Sequence, residues 1–293
     1  MGNMATLSVA AFQFVGSHDI SKNVSAIERG VKWARASHAR LLVTQECALC
    51  GYPPLEVESI HQIDLDEQED ALAHLRGLAV QYNLYIAVGH ITSTQRQFFN
   101  TVTMLTPDTQ SFAPYYKRAL WGWDADNFTP GSNRAGVYTI DGMKVGVRIC
   151  YEIRFPEYFR ELFLQKVDLV AVPFADVGAP EQVGKREVMW SHLVTRAAEN
   201  AMYVVTANSL SQTQLVPTCL IDQDGQVITS APSNEEALIA GAIVRDTPNF
   251  GRTGRILHSQ ELLASPSQPM TIVEEEQRSR PVPAGEIVAR ARY

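Results

Sequence analysis

The sequence predicts an α/β fold in which mixed β-sheets are covered by helices. Two observations predict it: apolar runs of strand length alternate with stretches of helical periodicity, and this alternation occurs twice along the chain. Composition agrees, since 45% hydrophobic and 19% charged residues among 293 supply a substantial core for a globular domain.

Residues 7–14 form a mostly apolar run and read as a buried strand. A helix follows over residues 20–36, with Val24, Ile27, Val31 and Trp33 near helical spacing. Residues 40–44 are a second strand that runs into Gln45 and Glu46. A helix over 67–82, a strand over 84–88 and strands over 100–105 and 111–116 come next. The order then repeats with strand 144–149, helix 156–164, strand 169–173, helix 185–202 and strand 203–208. Two similar halves are suggested, although no sequence repeat proves them. Residues 218–221 and 226–229 bracket Asp224-Gly225, a hairpin signal. Beyond about residue 250 the Pro-, Ser- and Glu-rich character reads as an extended tail. The expected division is one domain over 1–260 and a tail over 261–293 that could serve as an oligomerisation arm.

A net charge of −7 without any basic cluster disfavours nucleic acid and points to a small-molecule substrate. No signal peptide and no long apolar run are visible, so an intracellular, cytoplasmic protein with no membrane partner is expected. Four irregularly spaced cysteines (Cys47, Cys50, Cys150, Cys219) suit a reduced compartment better than a disulfide framework. The first six residues match the loose myristoylation pattern, with an alternative start at Met4 or a cloning remnant as the preferred explanation.

Three reactive residues follow three strands. Cys150 ends the run Val145-Gly146-Val147-Arg148-Ile149 just before a helix, the ligand-facing edge of an α/β sheet, where a thiol pKa can be lowered. The alternative is an ordinary core cysteine. Glu46 follows the second strand, where a carboxylate is costly unless paired or functional, and a surface carboxylate is the competing explanation. Lys117 follows Tyr116 in the same way. Spacing alone does not bring the three together.

The motifs are more specific. Residues 41–54 carry Glu46 and the turn Gly51-Tyr52-Pro53-Pro54. Tyr115-Tyr116-Lys117-Arg118-Ala119-Leu120 precedes Phe128-Thr129-Pro130-Gly131, and residues 145–157 surround Cys150. Arg196-Ala197-Ala198-Glu199-Asn200 and residues 203–208 complete four blocks. In this order they resemble the nitrilase superfamily of carbon–nitrogen hydrolases over roughly residues 7 to 250. The resemblance implies a four-layer α-β-β-α sandwich that dimerises through its helices. It also implies a cofactor-free, metal-free site with Glu46 as general base, Lys117 as oxyanion stabiliser and Cys150 as nucleophile, forming a thioester. The backbone N–H of Tyr151 would be the second oxyanion donor.

Several positions depart from the family pattern. Its second active-site glutamate falls on Asp124 here, proline is replaced by Gln45, and Gly-x-Ser by Val216-Pro217-Thr218. The loop around Trp121 and Trp123 is unusually aromatic and is expected to shape the pocket with Tyr52. Tyr151 after the nucleophile resembles amidases and carbamoylases more than nitrilases. Arg154 is a candidate for a substrate carboxylate, with a structural ion pair to Glu152 or Glu157 as the bland alternative. Cys47 and Cys50 form a Cys-x-x-Cys pair, for which packing is preferred over zinc or redox chemistry. Hydrolysis of a small amide or N-carbamoyl compound is therefore expected, with an acyl transferase, a nitrilase and a catalytically silent binding protein as alternatives.

Overall fold

The computed structural model describes residues 5–108, 111–132, 136–178 and 183–264. The myristoylation pattern's first four residues, and the tail beyond 264, lie outside the described residues. The strands are β1 (Thr6–Gln13), β2 (Leu41–Val43), β3 (Tyr85–Thr94), β4 (Gln97–Leu105), β5 (Tyr115–Tyr116), β6 (Val137–Ile140), β7 (Met143–Val147), β8 (Leu169–Phe174), β9 (Tyr203–Asn208), β10 (Cys219–Ile221), β11 (Val227–Ser230) and β12 (Ala237–Val244). The helices are α1 (Ile20–Ala36), α2 (Leu65–Tyr82), α3 (Trp123–Asn127), α4 (Pro156–Leu164), α5 (Val183–Asn200) and α6 (Phe250–Ala264).

Two six-stranded sheets form, in the orders β12-β1-β2-β3-β4-β5 and β11-β10-β9-β8-β7-β6. Each has a parallel trio, β1-β2-β3 or β7-β8-β9, with antiparallel neighbours outside it. Strand alternation builds three apolar layers. Leu7, Val9 and Ala11 of β1 face the inter-sheet core with Leu169 and Ala171 of β8. Ala10 and Phe12 point to the other side, against Ile27 and Val31 of α1 and Leu75 of α2. Val170 and Val172 of β8 meet Phe159 of α4 and Leu193 of α5. Helix, sheet, sheet, helix is the expected four-layer sandwich.

The helices start where side chains satisfy their first N–H groups. Asp19 caps α1 through Lys22 N, and Asp64 caps α2 through Asp66 N and Glu67 N. Pro156 opens α4, where its missing N–H costs nothing.

Several elements differ from expectation. Strand β3 runs six residues past the predicted end and turns into β4 through Gln95 and Arg96, both with positive φ. A two-residue turn without Asn or Gly gives no sequence signal. Strand β5 pairs only at Tyr115 and Tyr116, so the predicted strand over 111–116 shrinks to its end. Strand β12, with three alanines and a glycine among its eight residues, and the edge strand β6 were not predicted. The predicted extended tail after residue 250 is corrected: α6 continues through residue 260 to Ala264. Its buried residue is Arg252, paired with Asp246, and Arg255 pairs with Asp224. Charged rather than apolar anchoring hid the helix. No helix among the described residues is long and apolar enough to cross a membrane.

Candidate active site

Glu46 follows β2, Lys117 follows β5, and Cys150 follows β7 after two intervening residues. The sheet containing β2 and β5 supplies the acid and the amine; the other supplies the thiol. Strand β8 joins them, because Phe174 O accepts from Glu46 N at 3.3 Å and Ala175 N donates to Glu46 Oε2 at 2.9 Å. Gly89 of β3 allows this approach, since a Cβ there would run into the Gln45 carbonyl oxygen and Cys47 N.

Lys117 Nζ donates to Glu46 Oε1 at 2.7 Å and to Asp124 Oδ2 at 2.6 Å, all three side chains being buried. Asp124, at the start of α3, also accepts from the Tyr52 hydroxyl at 2.6 Å. The shorter carboxylate therefore does reach the lysine. Tyr52 covers Lys117 with its ring, the ammonium 5.9 Å from the centroid.

Cys150 opens the 3-10 helix Cys150–Arg154 with φ at +46°, a left-handed conformation uncommon outside glycine. Glu152, fully buried, holds this turn. Its carboxylate accepts from Ile149 N at 2.7 Å, Arg118 N at 2.8 Å and the Tyr115 hydroxyl at 2.8 and 2.9 Å. One side chain thus ties the residue before Cys150 to the residue after Lys117.

A cavity of about 300 Å³ opens over Cys150 and Lys117. Tyr52, Trp121, Trp123 and Tyr151 supply aromatic walls, and Arg154, Asp176 and Lys185 supply charge. Trp121 is about half exposed at 49%, with Lys185 Nζ 5.9 Å from its ring. Arg154 stacks over Tyr151, 5.7 Å from centroid to Cζ. Among the described residues no carboxylate pairs with it: Glu152 is spent on the donors above, and Lys185 takes Asp176 at 3.3 Å. All eight residues singled out from the sequence are therefore at or beside one cavity.

The electrostatics differ from one expectation. Burial first, then the adjoining Glu46 carboxylate, pushes the Cys150 thiol well above its ordinary value, with Lys117 opposing. The lowered thiol pKa expected at a strand end is absent, because burial and the Glu46 carboxylate outweigh the Lys117 ammonium. Burial also raises Glu46, Lys117 lowering and Asp124 raising it in turn. For Lys117 burial acts downward, but Glu46, Cys150 and Asp124 together lift it well above its usual value.

Sequence reasoning missed Asn100, whose side chain donates to Glu46 Oε1 at 2.7 Å. The available signal was a polar residue inside the apolar strand Phe98 to Leu105. Cys47 and Cys50 are buried core residues beside Glu46, each 1% exposed. Gln45 receives Phe14 N at 3.3 Å, and Thr218 receives Asn208 N at 3.0 Å, so two of the departures serve local packing.

The carbon-nitrogen hydrolase family model matches residues 8–249. The chain is 25% identical over 259 residues to an N-carbamoylputrescine amidase of Arabidopsis thaliana, covering 81% of this chain and 86% of that one. It is 27% identical over 244 residues to a Pseudomonas protegens protein named hydrolase in pqqF 5'region, covering 82% and 81%. Among solved structures, a cysteine-to-alanine mutant of a Nesterenkonia amidase from the nitrilase superfamily superposes with a TM-score of 0.74 at 22% identity. That match covers 88% of this chain and 95% of the other, and shows the shared fold. With the family's pattern running through most of its length, this chain belongs to the carbon–nitrogen hydrolases of the nitrilase superfamily.

Proposed function

We propose that the protein hydrolyses a small amide or N-carbamoyl compound through a thioester on Cys150, releasing ammonia. The carrying observation is that Lys117 and Cys150, distant in sequence, line one cavity while Lys117 is bonded to the buried Glu46 carboxylate.

An amide nitrogen leaves only when protonated, and splitting the reaction at a thioester makes each half easier. The Cys150 sulfur attacks the carbonyl carbon while its proton passes to Glu46. The tetrahedral oxyanion is held by Lys117 Nζ and the Tyr151 N–H, which lies in a first helical turn where N–H groups have no intrahelical partner. Glu46 then gives its proton to the departing nitrogen. In the second half Glu46 takes a proton from water, whose hydroxyl attacks the thioester; the C–S bond breaks and Glu46 returns the proton to the sulfur. A carboxyl raised above its ordinary range by burial suits both directions of transfer.

The cavity supports a narrower class of substrate. Arg154 faces it without a carboxylate partner among the described residues, which favours an amide or ureido compound carrying its own carboxylate. The name of the Arabidopsis relative, an N-carbamoylputrescine amidase, supports the N-carbamoyl class.

The test is ammonia release from a panel of amides, ureido acids and nitriles, with Cys150→Ser as control. Release from one class that the mutation abolishes supports the reading. Activity that survives Cys150→Ser overturns it, and hydroxamate formation with excess hydroxylamine in place of hydrolysis would move the assignment to acyl transfer.

A further inference from the structure

We propose that Asn100 is a positioning residue that directs the proton leaving Cys150 to one oxygen of Glu46, Oε2. The inference rests on the reading of Glu46 as the base.

A carboxylate offers about four acceptor sites, two on each oxygen. On Glu46, Oε1 accepts from Lys117 Nζ and from Asn100 Nδ2, each at 2.7 Å, and is filled. Oε2 accepts only from Ala175 N at 2.9 Å among the described residues, so one site stays open there. Asn100 makes the difference. Without its amide, Oε1 would have an open site as well, and the proton could settle on the side occupied by Lys117.

Asn100 also ties the base to the lysine, because its backbone oxygen accepts from Lys117 N at 2.9 Å while its side chain holds Glu46. It is 1% exposed, and its Oδ1 has no hydrogen-bond partner among the described residues. A buried acceptor without a partner costs stability, which an apolar residue at this strand position would avoid. The useful half of the side chain is therefore the donor aimed at Glu46. The amide cannot be turned over without placing Oδ1 against the carboxylate.

During the first chemical step the S–H bond breaks as the S–C bond forms, and the new O–H bond forms at Oε2. Lys117 must then serve the oxyanion, Glu46 and Asp124 together. Asn100, a neutral donor on a strand, keeps Oε1 occupied whatever Lys117 does. The charged and titratable groups acting with or on Glu46 are Lys117, Asp124, Cys150, Cys47, Tyr52 and Glu56. Beside them the Asn100 hydrogen bond acts to lower Glu46, against burial.

The experiment is carboxyl-¹³C NMR titration of glutamate-labelled protein, with the Glu46 signal assigned by its loss in Glu46→Gln. Asn100→Leu keeps the branched outline and removes the donor, Asn100→Ala removes both, and stoichiometric alkylation of Cys150 by iodoacetamide reports an intact site. In either variant the Glu46 midpoint is expected to rise by about one pH unit, as loss of one donor to a charged acceptor implies. An unchanged midpoint overturns the proposal. In the unaltered protein the Asn100 side-chain ¹⁵N signal should move with the Glu46 titration; a signal indifferent to it also overturns the proposal, whether or not the variants fold. These readouts need no substrate. Turnover that survives Glu46→Gln would sink the proposed function and leave the NMR result standing.

Discussion

At the residue scale the proposed mechanism requires a thiol held protonated to become a nucleophile. Glu46 and Asp124 place two carboxylates around one ammonium, so a thiolate at Cys150 would add a further negative charge in a buried place. Deprotonation must accompany attack, which makes the base indispensable. Glu46→Gln is expected to abolish turnover and at the same time to lower the pH midpoint for Cys150 alkylation, because the anion that raises the thiol is gone. Alkylation rates across pH check it, and a midpoint that rises would refute this account of the thiol. In the proposed mechanism Glu46 works as the ionised form, and because burial raises its pKa, activity should climb with pH through a midpoint above the ordinary carboxylate value of 4.5. Lys117→Arg should leave turnover down by about a hundredfold to a thousandfold, since a planar guanidinium cannot replace a compact ammonium between two carboxylates. Steady-state kinetics on the substrate from the panel would show it. Arg154→Ala should raise KM for carboxylate-bearing amides and spare neutral ones; equal losses on both would remove Arg154 from substrate recognition.

At the scale of elements, the site depends on contacts between segments that carry no chemistry. Glu152 meets only donors: Tyr115 O–H, Arg118 N–H, Ala119 N–H and Ile149 N–H. A carboxylate, with no donor of its own, fits this environment, whereas an amide would turn N–H against N–H. Glu152→Gln should therefore destabilise the fold by about 1.5–3 kcal/mol, measured by urea unfolding. Gly89 plays the matching part beneath Glu46. Gly89→Ala should displace the Gln45–Cys47 backbone and cut turnover by about a hundredfold, the scale expected when a reacting group shifts by about 1 Å. Strand ends such as Glu46 were legible because a carboxylate straight after an apolar run stands out. Asn100 was not, because one amide within a strand is usually a packing or ladder feature.

At the scale of the molecule, three apolar layers hold two sheets so that the ends of β2, β5, β7 and β8 meet. Helix α6 leaves Phe250 at 97%, Leu257 at 53% and Leu262 at 76% exposed, apolar side chains that a monomer would leave in water. The dimer expected from the family resemblance is tested by analytical ultracentrifugation; a monomer at micromolar concentration would argue against it. The sequence by itself determined the alternation of strands and helices, the motif blocks and the three reactive residues, because periodicity and strand-end chemistry are local. Only the tertiary structure decided that Asp124 reaches Lys117, that Glu152 and Asn100 clamp the reacting groups, and that the Cys150 thiol is raised. Those outcomes depend on burial and on charges brought together from remote segments, and neither quantity exists until the two sheets have packed.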